Sequence, residues 1–406
     1  MHSSSTCWTW PRIWLALFAI FVAGLFLAGP QRFFPLFGMK PSVPDYADAR
    51  VITAAFESLA DGHDPLLENP RDPFGRALNY PRIWLLPAAW GLNQSHTAML
   101  AHLLMASYFL GWLIFPPANC GMRTAAFMPA IGLSPAAILC IERGNIDLLI
   151  FFMLAVVIRC SISPVRWLWH SGWVILFSAF ILKLYPLAGL PVFASSRPRR
   201  LIIPGLIFGL MAALYLGATW GDIALISHNT PRPTGLSSGR NVLWMELLDH
   251  SLPLAAIGRF CSWAGVAAAA GLVVAGWIRG GNGHVETMPS VTRSSFLMGA
   301  GIYGGTFLLG NNWDYRLVFL LFTIPLLSQQ LSHKKRLDQS VAAVALTAAT
   351  ISCWYIIIFR FASMFPYGGP SSVLFDEFAN WVLFLCLAFL AGAVLKSVTL
   401  ANVPES

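Results

Sequence analysis

Between Leu201 and Thr219 the chain carries no charged residue, and comparable apolar runs recur along its length. A run of about 20 apolar residues is what a helix needs to cross the hydrocarbon core of a bilayer. Within that core every backbone N–H and C=O must be satisfied by the protein itself, which leaves helices or closed barrels as spanning structures. The runs are continuous, not alternating, so the predicted fold class is all-α. It is a polytopic transmembrane helical bundle of about 10–12 spans. Only 11% of the residues are charged and 57% are hydrophobic, whereas a water-soluble domain carries about 25% charge. A cytosolic enzyme, a disordered chain and a secreted disulfide scaffold are thereby excluded.

The net charge of +8 would suggest an anionic partner in a soluble protein. In a membrane chain, Lys and Arg collect first in cytoplasmic loops. No basic run is long enough to act as a nucleic-acid stripe, so nucleic acid is not an expected partner. Cys7, Cys120, Cys140, Cys160, Cys261, Cys353 and Cys386 form no C-x-x-C pair. They read as small buried hydrophobes, not as a zinc or disulfide framework.

The first apolar run, about residues 10–29, is longer than a signal-peptide core of about 7–15 residues. It reads as an uncleaved anchor with its N-terminus inside. A polar stretch over residues 30–80 follows, in which Val51, Ile52, Ala55, Phe56 and Leu59 recur at helical spacing. This predicts an amphipathic helix lying on the membrane face. Residues 80–92 are apolar but too short to span, and Pro81 and Pro87 interrupt them. Further spans are expected near 96–115, 124–141, 147–158, 201–219, 254–278, 295–309, 317–331, 341–359 and 378–395. The stretch 167–194 has basic flanks on both sides, so it must enter the membrane and return, with Lys183, Tyr185 and Pro186 near its bend. Basic turns then fall inside at 279–293, 333–336 and 396, in agreement with alternation. The glycines at 301, 304 and 305 read as points of close helix packing.

This topology turns residues 30–80, 220–253, 361–380 and two short turns outward. It places there a set of charges that the positive-inside rule does not explain. An ionisable residue at the centre of a spanning helix costs about 2.5–3.5 kcal/mol, so Lys183 needs a partner or a purpose. The same holds for Glu142, Arg143, Asp147, Asp314 and Arg316 at helix ends. Structural ion pairs are the plainer reading of each. Together, acids beside converging cations suit a negatively charged lipid head group and a hydroxyl to be activated. A carboxylate takes the hydroxyl proton while Arg and Lys stabilise a leaving phosphate. The histidines are scattered, and no three- or four-ligand metal set is apparent, so neither metal nor other cofactor is expected.

Pro44-Asp45-Tyr46, Asp61-Gly62-His63-Asp64-Pro65 and Tyr80-Pro81 follow one another in the first loop. Glu142-Arg143-Gly144-Asn145-Ile146-Asp147, Lys183-Leu184-Tyr185-Pro186 and Asn312-Trp313-Asp314-Tyr315-Arg316 come later. In order and side these elements resemble the C-type glycosyltransferase superfamily, in its polyprenyl-phosphate-mannose-dependent, family 87-like branch. The pattern departs from that branch at Arg82, where a second Pro is usual, and at Leu66, where Tyr or Phe is common.

The resemblance implies one integral-membrane transferase domain over residues 1–406, multi-pass in the cell membrane, with its site on the non-cytoplasmic face. It implies transfer of a hexose, mannose first, from a polyprenyl-phosphate sugar donor to a lipid or glycan acceptor. Asp45 is then the general base, with Asp48 second; Asp45 as a helix cap is the plainer alternative. Asp64, Tyr80, Arg143, Asn145, Lys183, Tyr185, Asp314 and Arg316 are the expected substrate-binding residues. An inverting reaction needs one base and no carboxylate pair at glycosidase spacing. Two other readings remain open, a transporter or flippase of a lipid-linked saccharide and an envelope oligosaccharide ligase or polymerase.

Overall fold

The computed structural model describes residues 9–115, 121–196, 198–248, 251–280, 284–332, 336–365 and 368–400. Cys7, Cys120, Arg197 and the basic residues 333–335 lie outside them. In chain order the helices are α1 (Thr9–Ala28), α2 (Pro30–Phe33), α3 (Ala47–Ala60), α4 (Thr97–Ile114), α5 (Met122–Gly132), α6 (Pro135–Arg143), α7 (Asp147–Ser161) and α8 (Arg166–Leu182). They continue with α9 (Pro198–Ala218), α10 (Trp220–Asn229), α11 (Val242–Leu248), α12 (Leu252–Arg279), α13 (His284–Thr287), α14 (Ser290–Leu309), α15 (Ile324–Gln330), α16 (Arg336–Ala362) and α17 (Gly368–Leu400). Tight 3-10 segments run over Arg82–Trp90, Tyr185–Ser195 and Asp314–Thr323. Among the described residues the strands are β1 (Ser237–Ser238) and β2 (Asn312–Trp313), one antiparallel pair.

The architecture is an all-α helical bundle of the multi-pass membrane kind. Among the described residues five helices are long and apolar enough to cross a bilayer, or up to seven if two bent pairs, α1 with 30–37 and α5 with α6, each count as one span. That is fewer than the ten to twelve apolar runs in the sequence. Helices α7 and α8 hold 15 and 17 residues, and several other runs break into 3-10 turns. Helices α9 and α12 face outward along most of their length, whereas α14, α16 and α17 pack into the core. Gly301 supports that packing, because a Cβ there would sit 2.3 Å from the carbonyl of Ala188. Cys140, Cys160 and Cys353 are buried free thiols, as expected; Cys261 is exposed on α12.

Helix α3 forms where the periodicity places it, and it is buried on more than its apolar face. Val51, Ile52, Ala55 and Phe56 are buried, and so are Ala49, Thr53 and Ser58 on its other faces. The polar loop 61–79 folds back over it: Asn69 accepts a hydrogen bond from Ser58 at 2.6 Å and donates one to the carbonyl of Val51 at 3.1 Å. The expected turn in 167–194 is present. Helix α8 stops at Lys183, whose backbone is extended, and the chain returns through the 3-10 segment containing Pro186 and Pro191.

Candidate active site

The site is built around the break at Lys183. Proline at 186 and the extended backbone at 183 end α8, so the lysine side chain leaves the helix instead of stacking along it. Its ammonium donates to Asp147 Oδ1, at the first position of α7, and to Asn145 Oδ1 at 3.0 Å. Tyr185 OH donates to the same Asp147 oxygen at 2.7 Å. The Arg316 Nε lies 3.7 Å from Asp147 Oδ2, and its guanidinium stands 5.1 Å from the Tyr185 ring centre. Asp147 is fully buried between these two cations.

Asn145 carries the network towards the first loop. Its Oδ1 also accepts from the Asp147 backbone N–H at 2.9 Å, and its Nδ2 donates to Asp48 Oδ2 at 2.6 Å. Asp48 in turn lies 3.4 Å from Arg76, which also binds the Asp72 carboxylate and the Ala47 carbonyl. The 142–147 turn can approach so closely because residue 144 is glycine in the left-handed region at φ 59°. A Cβ there would meet Cβ atoms of Ala49, Ala101 and Tyr46 at 3.0–3.2 Å. Five segments, far apart in sequence, thus converge on one chain of charges: Arg76, Asp48, Asn145, Lys183, Asp147 and Arg316.

Two cavities flank this chain. The larger, about 620 Å³, is lined by Lys183, Arg316, Arg82 and Arg232 together with Ile181, Leu184, Ile223, Ile226 and Leu309. Asp222 is the single carboxylate among its lining residues. Such a cavity matches an amphiphile with an anionic head. Arg316 Nε is buried and has no hydrogen-bond acceptor among the described residues. The smaller cavity, about 90 Å³, is polar and lined by Asp48, Arg76, Arg143 and Tyr315. Asn79 borders both.

Aromatic rings surround the Lys183 ammonium. The Tyr80 ring centre lies 5.3 Å from the Lys183 ammonium, and that of Tyr315 5.9 Å. Burial and the Asp48 charge push the Tyr80 phenol well above its usual range, so it is a neutral hydrogen-bonding group. At the mouth of the larger cavity, Arg82 holds Asp64 at 2.8 and 2.9 Å and Asp222 at 2.9 and 3.0 Å. The hydrogen bond from Arg82 holds the Asp64 carboxyl below the usual carboxylate range.

Of the residues singled out in sequence, Asp48, Tyr80, Asn145, Lys183, Tyr185 and Arg316 come together here. Arg143 reaches the smaller cavity, 3.5 Å from Glu142 and over the Trp313 ring. Asp64 stands at the mouth through Arg82. Asp45 does not line either cavity; its Oδ1 accepts from Gln31 at 2.5 Å. It does not share a helical face with Asp48, because α3 begins at Ala47 after Tyr46 has turned into the left-handed region at φ 59°. It does not cap α3 by a side-chain hydrogen bond either. Asp314 is fully buried and lines neither cavity. With three residues per turn, residues 314 and 316 of a 3-10 segment fall on different faces. Asp147, Arg76, Arg232 and Asp222 were not among the substrate-binding candidates. Asp147 carried a signal as the last residue of the 142–147 turn, and Arg76 and Arg232 belong to the outward charges that the positive-inside rule does not explain.

No protein-family model matches the chain, and no curated protein matches it. Among solved structures, ArnT from Cupriavidus metallidurans bound to undecaprenyl phosphate is matched at 14% identity, over 95% of this chain and 77% of that one, with a TM-score of 0.35. So distant a likeness decides neither fold nor function; both rest on the residues.

Proposed function

We propose that the chain is an integral-membrane glycosyltransferase of the C type. It moves a hexose, mannose first, from a polyprenyl-phosphate sugar to a lipid or glycan acceptor on the non-cytoplasmic side. The observation that carries this reading is the pairing of cavities. An amphiphilic chamber holds a buried cation pair with an unsatisfied Arg316 donor, and a small polar chamber presents a carboxylate beside it. The lipid phosphate seats against Lys183 and Arg316, whose planar fork suits phosphate oxygens. The prenyl chain follows the apolar wall.

An acceptor hydroxyl in the smaller chamber attacks the anomeric carbon. Its proton passes to Asp48, the bond from that carbon to the phosphate oxygen breaks, and the phosphate leaves with the electron pair, stabilised by the cations. One displacement of this kind inverts the anomeric centre. Asp48 is favoured over Asp45 because it lines the chamber, while Asp45 is bonded to Gln31 outside it. Asn145 and Arg76 orient Asp48; Asp64 and Arg82 frame the entrance.

The test is transfer from a radiolabelled polyprenyl-phosphate sugar by purified protein in detergent. Asp48→Asn should lose turnover and Asp45→Asn retain it; the reverse order would move the base to Asp45. Detergent removes compartments, so absence of product in the wild type across several acceptors, with donor bound, would favour the transporter.

A further inference from the structure

A second cavity of about 380 Å³ lies at the opposite end of α8, bordered by Ser163, Pro164, Arg166, Trp169, His170 and Arg200, with Ile203 and Pro204 below. Helix α8 rises about 25 Å from Arg166 to the break at Lys183, so this cavity is separate from the candidate active site. Helices α8 and α9 run parallel here. Trp173 and Phe177 both meet Phe208, at 5.8 and 5.6 Å, and Phe180 meets Tyr215 at 5.6 Å. From Phe208 to Tyr215 the contacts advance in the same direction along the two helices. The two helix N-termini therefore lie side by side at one membrane face, and each carries a partial positive charge.

Nothing in the sequence neutralises that charge locally. From Leu148 to Gly221 the chain holds no Asp or Glu. No side chain caps α8 by a hydrogen bond. Among the described residues, no ion pair engages Arg166, His170 or Arg200. Arg166 and His170 stand one turn apart on the same face of α8, opposite Arg200 in the first turn of α9. Below them the outer face of α9 continues as an apolar strip, with Ile202, Ile203, Leu206 and Leu210 each exposed. A cationic cup at the head of an exposed hydrocarbon strip has the shape of a phospholipid.

We infer that this cup binds the phosphate head group of an anionic phospholipid of the adjoining leaflet, with one acyl chain laid along α9. Two guanidiniums give the phosphate bidentate partners, and the free N–H groups of the α8 terminus add donors. Charge complementarity favours an anionic lipid over a zwitterionic one, whose ammonium would meet Arg166 and Arg200 at close range. The site is independent of the glycosyltransferase reading.

The experiment is native mass spectrometry of the full chain in detergent, titrated with phosphatidylglycerol, phosphatidylcholine or inorganic phosphate, with thermal unfolding in parallel. Wild type should retain phosphatidylglycerol over phosphatidylcholine and gain thermal stability from it. Arg166→Gln/Arg200→Gln should bind it at least about tenfold more weakly, the scale of a lost charge-assisted hydrogen bond. Arg166→Lys/Arg200→Lys should recover part of the loss. Equal binding of both lipids, or wild-type binding by the Gln pair, would overturn the inference. So would stabilisation by inorganic phosphate equal to that by lipid, which would make this a free-anion site.

Discussion

Replacing Asp147 by Asn removes the one carboxylate shared by Lys183 and Arg316. The substitution is isosteric, so its effect is electrostatic. Lys183 keeps Asn145 Oδ1 at 3.0 Å and Arg316 keeps Asn312, but neither of those partners is charged. Removing one member of a buried ion pair costs about 3–5 kcal/mol, because the surviving charge stays in a poor solvent without compensation. Here two cations lose the same partner, so the upper part of that range applies. Lys183→Met is the matched control: it leaves Asp147 beside Arg316, 3.7 Å away, and its cost should be smaller by about 1–2 kcal/mol. Pairing both changes in one chain should recover part of the loss, since contacting residues do not add independently. Unfolding of purified protein in detergent, without donor lipid, ranks the three variants. If Lys183→Met proves as destabilising as Asp147→Asn, or the double variant shows simple additivity, Asp147 is not the common counter-ion and the site's electrostatics are misread.

Other expectations follow from single contacts. Asp48→Asn should lower kcat about 10²–10⁴-fold, the usual contribution of a general base, with smaller change in donor affinity; initial rates on labelled donor measure it. Gly144→Ala forces a β-carbon into contacts of 3.0–3.2 Å at positive φ, at a cost of about 1–3 kcal/mol, and should lower both thermal stability and turnover. Arg82→Gln releases Asp64 and Asp222 together. Because Asp64 titrates below its unfolded value, its stabilisation is present above the ordinary carboxylate pKa of about 4 and fades as pH falls through the lowered one. Wild type should therefore lose stability over that acid window more steeply than Arg82→Gln, as read from acid unfolding curves.

The class of fold was legible because a bilayer enforces it: apolar runs without charge have few structural options. The number of spans was less legible, since hydropathy does not distinguish a crossing helix from a buried one of 15 residues such as α7. The break at Lys183 was readable from basic flanks and a proline, which together force the chain to return. The different surroundings of Asp45 and Asp48 were not. They turn on the left-handed conformation of Tyr46, after which α3 begins at Ala47, with Asp45 bonded to Gln31 and Asp48 to Asn145. Asp314 and Arg316 sit two residues apart and look equivalent in sequence; only the 3-10 geometry sends one into the core. Arg76 stood out only as one of many outward charges and Asp222 gave no signal, because surface-like charges acquire meaning only when the loop folds over α3 and α10 meets Arg82.

Asn145 joins the Asp48 end of the site to the Lys183–Asp147 end through one carboxamide. Its oxygen accepts from an ammonium and a backbone amide, and its nitrogen donates to a carboxylate, so the group cannot be turned end for end without three mismatched contacts. The linkage therefore has polarity. A change in charge on either bank alters the pull on the opposite end of a rigid planar unit, and a carboxylate placed there would face Asp48 as a like charge.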